Sequence, residues 1–208
     1  MTQSNKAKRA AWLATSVPSI VSAFFMTVQA HNLDDIASKV SSKSAVPIGG
    51  KFSLVDTAGK VVTEQSYAGK WRLIFFGFTT CPDVCATVMN EVATAMTELG
   101  QDATKIQPIF ITMDPERDSA RRMSEYLNSF DSRIVGLRGT DAQTRAAVSA
   151  FHVYSKKRES GSTYTLDHSA VLYLMRPDGS FGKLLSGDTG GHKLGIDLKT
   201  ALNQVHEN

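Results

Sequence analysis

Apolar residues fall along this chain in short runs broken by polar turns, and most runs have the length of a strand. Phe52, Leu54 and Val55 precede Thr57-Ala58-Gly59 and Val61-Val62 follows it, so residues 50–56 and 60–63 predict a β-hairpin. The run from Arg72 to Phe78 is apolar almost throughout, the pattern of a strand covered on both faces. Then the period changes: Cys85, Val88, Met89, Val92, Met96 and Leu99 recur at three and four, predicting a helix that stops at Gly100. Ile106 to Met113 predicts a second central strand, followed by a helix capped by Asp118 and running to about Phe130. A short strand near Ile134–Leu137 and a helix from about Ala142 to Phe151 come next. Ala170–Met175 and Ser180–Leu185, joined through Pro177-Asp178-Gly179, predict a last hairpin, and Leu194 to His206 a closing helix. Alternating strands and helices that end in an antiparallel hairpin predict an α/β three-layer sandwich.

The first part of the chain has a different pattern. Residues 10–33 carry no Asp, Glu, Lys or Arg and include Trp12, Leu13, Ile20, Val21, Phe24 and Phe25. As a helix this segment is about 36 Å long, against a hydrocarbon core of about 30 Å. Ser16, Pro18, Ser19 and Ser22 dilute it, and Val28-Gln29-Ala30 resembles a cleavage site, so an anchor and a cleaved signal are both open. The domain expectation is therefore a cytoplasmic N-terminus at 1–9, an anchor or signal at 10–33, a tether at 34–47 and a folded domain at 48–208. Basic residues ahead of the apolar segment place the domain on the exported side of the membrane, where an unliganded cysteine pair tends to close.

Charge narrows the field. The 208-residue chain has 23 Lys and Arg against 20 Asp and Glu, a net charge of +3 that Lys6, Lys8 and Arg9 supply in full. The remainder is balanced, which gives no basic surface for nucleic acid.

The chemistry concentrates in Cys81-Pro82-Asp83-Val84-Cys85, which holds both cysteines of the chain at a strand-to-helix junction. With Pro82 at a first helical position, Cys81 is expected beside the helix N-terminus, where free N–H groups and the helix dipole favour thiolate. Cysteines four apart on a helix share a face at about 6 Å, so dithiol, disulfide and metal chelate are all open. A structural zinc site takes four ligands, and no second cysteine pair exists. A soft ion such as Cu(I) is commonly completed by imidazole. Of the five histidines, His31 falls at the end of the apolar segment, His206 at the terminus, His152 beside the basic run Lys156-Lys157-Arg158, and His192 at the start of the last helix. His168, in Asp167-His168-Ser169, stands just before the apolar strand that begins at Ala170. With cysteines directly after the first central strand the order of elements is thioredoxin-like, and in that fold this strand entrance faces the cysteine helix. Thioredoxin-like oxidoreductases normally carry proline there.

Three blocks, Phe76-Gly77-Phe78-Thr79-Thr80-Cys81-Pro82-Asp83-Val84-Cys85, Phe110-Ile111-Thr112-Met113-Asp114-Pro115-Glu116-Arg117-Asp118 and Asp167-His168-Ser169, resemble the signature blocks of the Sco/SenC family, and the resemblance covers about residues 48–206. It implies a membrane-tethered, thioredoxin-like copper chaperone, an assembly factor for the binuclear copper centre of cytochrome c oxidase and not a turnover enzyme. Cys81, Cys85 and His168 match the family's copper ligands, and Asp114 an acidic position behind them. Ala86 departs from the proline that the family often has. The implied partners are the copper-accepting oxidase subunit and another copper carrier or a thioredoxin-like reductant. The implied location is the bacterial inner membrane with the domain in the periplasm. The resemblance also permits a second role, a thiol-disulfide oxidoreductase with Cys81 and Cys85 as its redox pair. A peroxidase is disfavoured, because Phe78 stands where the peroxiredoxin pattern has threonine.

Overall fold

The computed structural model describes residues 47–161 and 163–204. The segments expected as cytoplasmic N-terminus, anchor or signal, and all but the end of the tether lie outside the described residues, as does His206. Among the described residues no helix is long and apolar enough to cross a membrane.

The chain order is β1 (Ser53–Asp56), β2 (Val61–Thr63), β3 (Trp71–Gly77), α1 (Val84–Glu98), a 3-10 turn (Gly100–Lys105), β4 (Ile106–Thr112), α2 (Ala120–Asn128), β5 (Val135–Arg138), α3 (Asp141–Ala150), β6 (Ser155–Ser160), β7 (Thr163–His168), β8 (Val171–Met175), β9 (Phe181–Ser186) and α4 (Gly191–Asn203). Seven strands form one mixed sheet in the order β2-β1-β5-β4-β3-β8-β9. At its centre β3 pairs parallel with β4 and antiparallel with β8, which explains why every residue of β3 is buried.

Strand alternation sorts the side chains into two layers of core. On one face Phe75 lies beside Phe110, which meets Tyr126 of α2 at a ring separation of 6.0 Å. Gly136 lies on that face too: a Cβ there would come within 2.6 Å of Leu127, so α2 rests on β5. α1 covers this face with α4 beside it, and the two helices approach through Gly191 and Gly195. On the opposite face Phe76 packs on Phe151, just past α3, and on Tyr173, at 5.3 and 5.8 Å.

Three local expectations need correction. α1 starts at Val84 with Asp83 as N-cap, not at Pro82, because the Cys81 N–H first closes a turn onto the Phe78 carbonyl at 3.2 Å. Asp118 is not the cap of α2. Ser119 is, its hydroxyl accepting from the Arg122 N–H at 3.2 Å, while the Asp118 carboxylate turns into the core. The closing helix begins at Gly191, ahead of the expected Leu194, with Gly190 at φ 92° supplying the left-handed entry, and is described to Asn203, the expected end at His206 lying outside the described residues.

The hairpin β6–β7 was not foreseen from the sequence. Its strands pair from Ser155↔His168 to Ser160↔Thr163 around Gly161 at φ 61°. Lys156, Lys157 and Arg158 are exposed, as their composition suggests, but they sit on a strand. The hairpin ends on His168, so that residue closes β7 instead of opening β8.

Candidate metal centre

The site is built where β3 hands the chain to α1. Gly77 ends β3, and a Cβ there would lie 2.8 Å from the Phe75 ring, 2.9 Å from the Phe110 ring and 3.0 Å from Cys85 Sγ. Only glycine lets the Cys85 sulfur settle this closely against the strand. Cys85 is fully buried in the first turn of α1, and Cys81 is half-buried in the turn ahead of it.

His168 arrives from the far end of the sequence. Its Nε2 lies 3.3 Å from Cys85 Sγ and 3.8 Å from Cys81 Sγ, and the three donor atoms all fall within 4.8 Å of one another. Nδ1 faces the Ser169 carbonyl at 3.3 Å, which leaves Nε2 as the ring nitrogen turned to the sulfurs: as N–H it donates to a Cys81 thiolate, and with the proton on Nδ1 instead it offers a lone pair to a metal. Phe75 and Phe78 present ring edges to the imidazole at 5.8 and 5.6 Å and fix its plane. Cys81, Cys85 and His168 are thus brought together. His152, whose Nε2 reaches the Pro47 carbonyl at 3.2 Å, and His192, which pairs with Glu98 at 3.0 Å, are engaged elsewhere.

The two thiols are unequal. A hydrogen bond from the Cys85 thiol lowers the Cys81 pKa far below the ordinary value, with His168 and the backbone N–H groups of Asp83 and Cys85 assisting against the opposing effect of burial. Cys85 moves the other way, raised by giving that hydrogen bond and by burial. The pair therefore loses its first proton as a unit, and the charge rests on Cys81. Asp83 contributes backbone, since its side chain makes no cap bond. In the reduced, metal-free protein, the rate of Cys81 alkylation by iodoacetamide is expected to stay flat from about pH 6 to about pH 9, whereas an ordinary thiol near 8.5 accelerates about tenfold per unit below its pKa. A tenfold rise per unit through about pH 7 would refute this inequality.

Around the donors stands a buried polar frame that the sequence only partly disclosed. Asp114 lies outside the donor group. It pairs with Arg117 Nε and accepts from the Tyr164 hydroxyl at 2.8 Å. Arg117 donates to the Tyr164 carbonyl at 2.9 Å and stacks between the rings of Tyr164 and Phe78, at 3.8 and 5.8 Å. Asp114 thus reaches the site by fastening β7, which carries His168. Asp118 fastens the other arm: its fully buried carboxylate accepts from Thr79 N–H at 3.0 Å, Thr79 Oγ1 at 2.5 Å and Thr112 Oγ1 at 2.6 Å. No sequence signal separated this role from helix capping. Cys81 and His168 open onto a cleft of about 520 Å³ lined also by Phe78, Pro82, Asp83 and Leu166, with Cys85 buried behind them. A larger cleft of about 790 Å³ between Asp114, Arg138 and Lys157 touches none of the donors.

Two sulfurs and an imidazole nitrogen at these separations suit one ion with metal–donor bonds of about 2.0–2.3 Å. The comparisons with known proteins agree with this geometry. A family model described as SCO1/SenC matches residues 40–203. The chain is 38% identical over 155 residues to "Protein SCO1 homolog 1, mitochondrial" of Arabidopsis thaliana, covering 73% of this chain and 46% of that protein. It is 36% identical over 204 residues to "Protein sco1" of Schizosaccharomyces pombe, covering 95% of this chain and 76% of that one. The match therefore spans about half the length of the Arabidopsis relative and three quarters of the fission yeast one. Among solved structures, ScoI of Bradyrhizobium japonicum with copper bound superposes with a TM-score of 0.69 at 42% identity, covering 74% of this chain and 99% of that one. Yeast Sco1 with copper bound gives 0.69 at 33%, covering 76% and 89%. With the mixed sheet, the cysteine turn and the family model all in accord, the chain belongs to the SCO1/SenC family.

Proposed function

We propose that this protein binds copper through Cys81, Cys85 and His168 and supports maturation of the binuclear copper centre of cytochrome c oxidase by passing the ion to a copper-accepting subunit. The observation that carries this reading is the convergence of the three donor atoms within 4.8 Å. Thiolate and imidazole are the soft and intermediate donors that copper takes, and among the described residues no fourth Cys, His, Asp or Glu joins the group to make a closed zinc site. The copper-bound ScoI and Sco1 structures support the choice of metal. The open cleft at Cys81 and His168 suits release by ligand exchange, because acceptor ligands must enter before these leave. Residues 10–33, as a single-pass anchor or a cleaved signal, would deliver the domain to the outer side of a bacterial inner membrane.

Anaerobic titration of the reduced protein with Cu(I) against a competing chelator is expected to show one tightly held ion per chain. Binding no tighter than the chelator, with both thiols counted as reduced, would overturn the assignment.

A second reading rests on the inequality of the thiols. Both cysteines are free, and Cys81 is the one held as thiolate. In that role Cys81 Sγ attacks a partner's disulfide, forming a mixed disulfide and expelling one partner thiolate. Cys85 then gives up its proton and displaces the second, so two electrons pass from the pair to the partner.

A further inference from the structure

We propose that Asp118 is a positioning residue for metal capture, holding the Cys81 turn in the conformation that presents its sulfur to Cys85 and His168. The inference rests on the metal-site reading and concerns a residue outside the donor group. Cys81 belongs to no regular element: β3 has ended at Gly77 and α1 starts only at Val84. The turn between them is tied to the body of the protein chiefly through Thr79. Both donors of Thr79, its N–H and its hydroxyl, go to Asp118, at 3.0 and 2.5 Å. The same carboxylate takes the Thr112 hydroxyl at 2.6 Å, and Thr112 Oγ1 in turn accepts the Asp114 N–H at 3.0 Å. Asp118 therefore joins the end of β4 to the residue two positions before Cys81.

The anchor is itself held. The Asp118 N–H donates to the Asp114 carbonyl at 2.9 Å, and Arg138 Nε donates to the Asp118 carbonyl at 3.0 Å. The side chain is fully buried and each oxygen has a partner, so a neutral apolar replacement leaves two threonine hydroxyls and one N–H without acceptors. Cys85 does not depend on this link, because it rides on α1 and lies against Gly77. Loss of Asp118 therefore frees one sulfur and leaves the other in place.

The test uses the whole reduced protein, with Asp118→Ala, Asp118→Asn and Thr79→Val set beside Leu127→Ala, a core truncation on α2 that removes stability away from the donors. Cu(I) affinity by chelator competition, the sulfur-to-copper charge-transfer band of the Cu(II) form, and urea unfolding of the metal-free protein are measured on each. Outer-shell partners of metal ligands are worth about 10–100-fold in affinity. Asp118→Ala is expected to lose about that much and to shift or weaken the band. Asp118→Asn keeps an acceptor for Thr79 and is expected to recover most of the loss, while Leu127→Ala lowers stability and leaves affinity within about twofold. Should Asp118→Ala fail to fold, Thr79→Val decides, with a loss of about tenfold expected. Wild-type affinity and band in whichever of these two variants is folded would overturn the proposal, as would an equal affinity loss in Leu127→Ala. Failure of the wild-type protein to bind copper would instead strike the metal-site reading itself.

Discussion

His168→Ala is expected to lower Cu(I) affinity by more than about a hundredfold while leaving the cysteine pair able to form and break its disulfide. The magnitude follows from what is removed. Loss of a group that only orients a ligand costs about 10–100-fold, and here the donor itself goes, leaving two sulfurs on one side of the ion. Protein stability should change little, because the imidazole is only half-buried at the end of β7, and Phe75 and Phe78 meet it edge-on without being enclosed by it. The pair loses the assistance of His168 but keeps the larger contribution: Cys81 still receives the hydrogen bond from Cys85 and those of the Asp83 and Cys85 backbone. The variant therefore separates the two readings of function. Chelator competition measures the copper arm, and thiol counting after oxidation and reduction measures the other. If the variant keeps both tight copper and oxidase assembly, the imidazole is not a ligand. If it loses copper but still supports assembly, the thiol-disulfide role becomes the better account.

Phe110→Ala is expected to cost about 3–5 kcal/mol, the range for removing a fully buried aromatic ring. Phe110 is 0% exposed on the central strand β4, with the Phe75 ring 6.2 Å away on one side and Tyr126 at 6.0 Å on the other. Its ring stands between Phe75 of β3 and Tyr126 of α2, so neighbouring side chains cannot collapse into the space without moving one of them. A domain of ordinary stability, about 5–15 kcal/mol, would lose a large share of it. Urea unfolding should show a lower midpoint at unchanged slope. A loss below about 1 kcal/mol would mean that the core relaxes around the gap. Phe75 also borders His168, so weakened metal binding should accompany the loss of stability.

Where the sequence could be read, it was because one physical signal dominated. β3 is apolar at nearly every position since both faces are covered, and α1 repeats its apolar residues at three and four since one face is. The last hairpin was legible from Pro177-Asp178-Gly179, where Gly179 takes φ 96°. β6 was not, because Ser155 to Ser160 carries charge on both faces and its order comes from pairing with β7 and from contacts such as Lys157 over the Tyr164 ring at 3.9 Å. Asp118 misled for a related reason: an aspartate just before a helix has the pattern of a cap, and only the arrival of Thr79, 39 residues earlier, turns it inward.

By itself the sequence determined the succession of strands and helices outside the hairpin β6–β7 and put two thiols on one strand-to-helix turn, since both follow from periodicity and from residues close together in the chain. Through its signature blocks it also singled out His168 from four other histidines. The tertiary structure decided what no local pattern contains. It set the 3.3 Å approach of His168 to Cys85 across 83 residues, and the frame of Asp114, Arg117 and Asp118 that holds the two arms of the site in place. Those features depend on distances between distant segments, and such distances exist only once the sheet has assembled and the hairpin β6–β7 has closed over it.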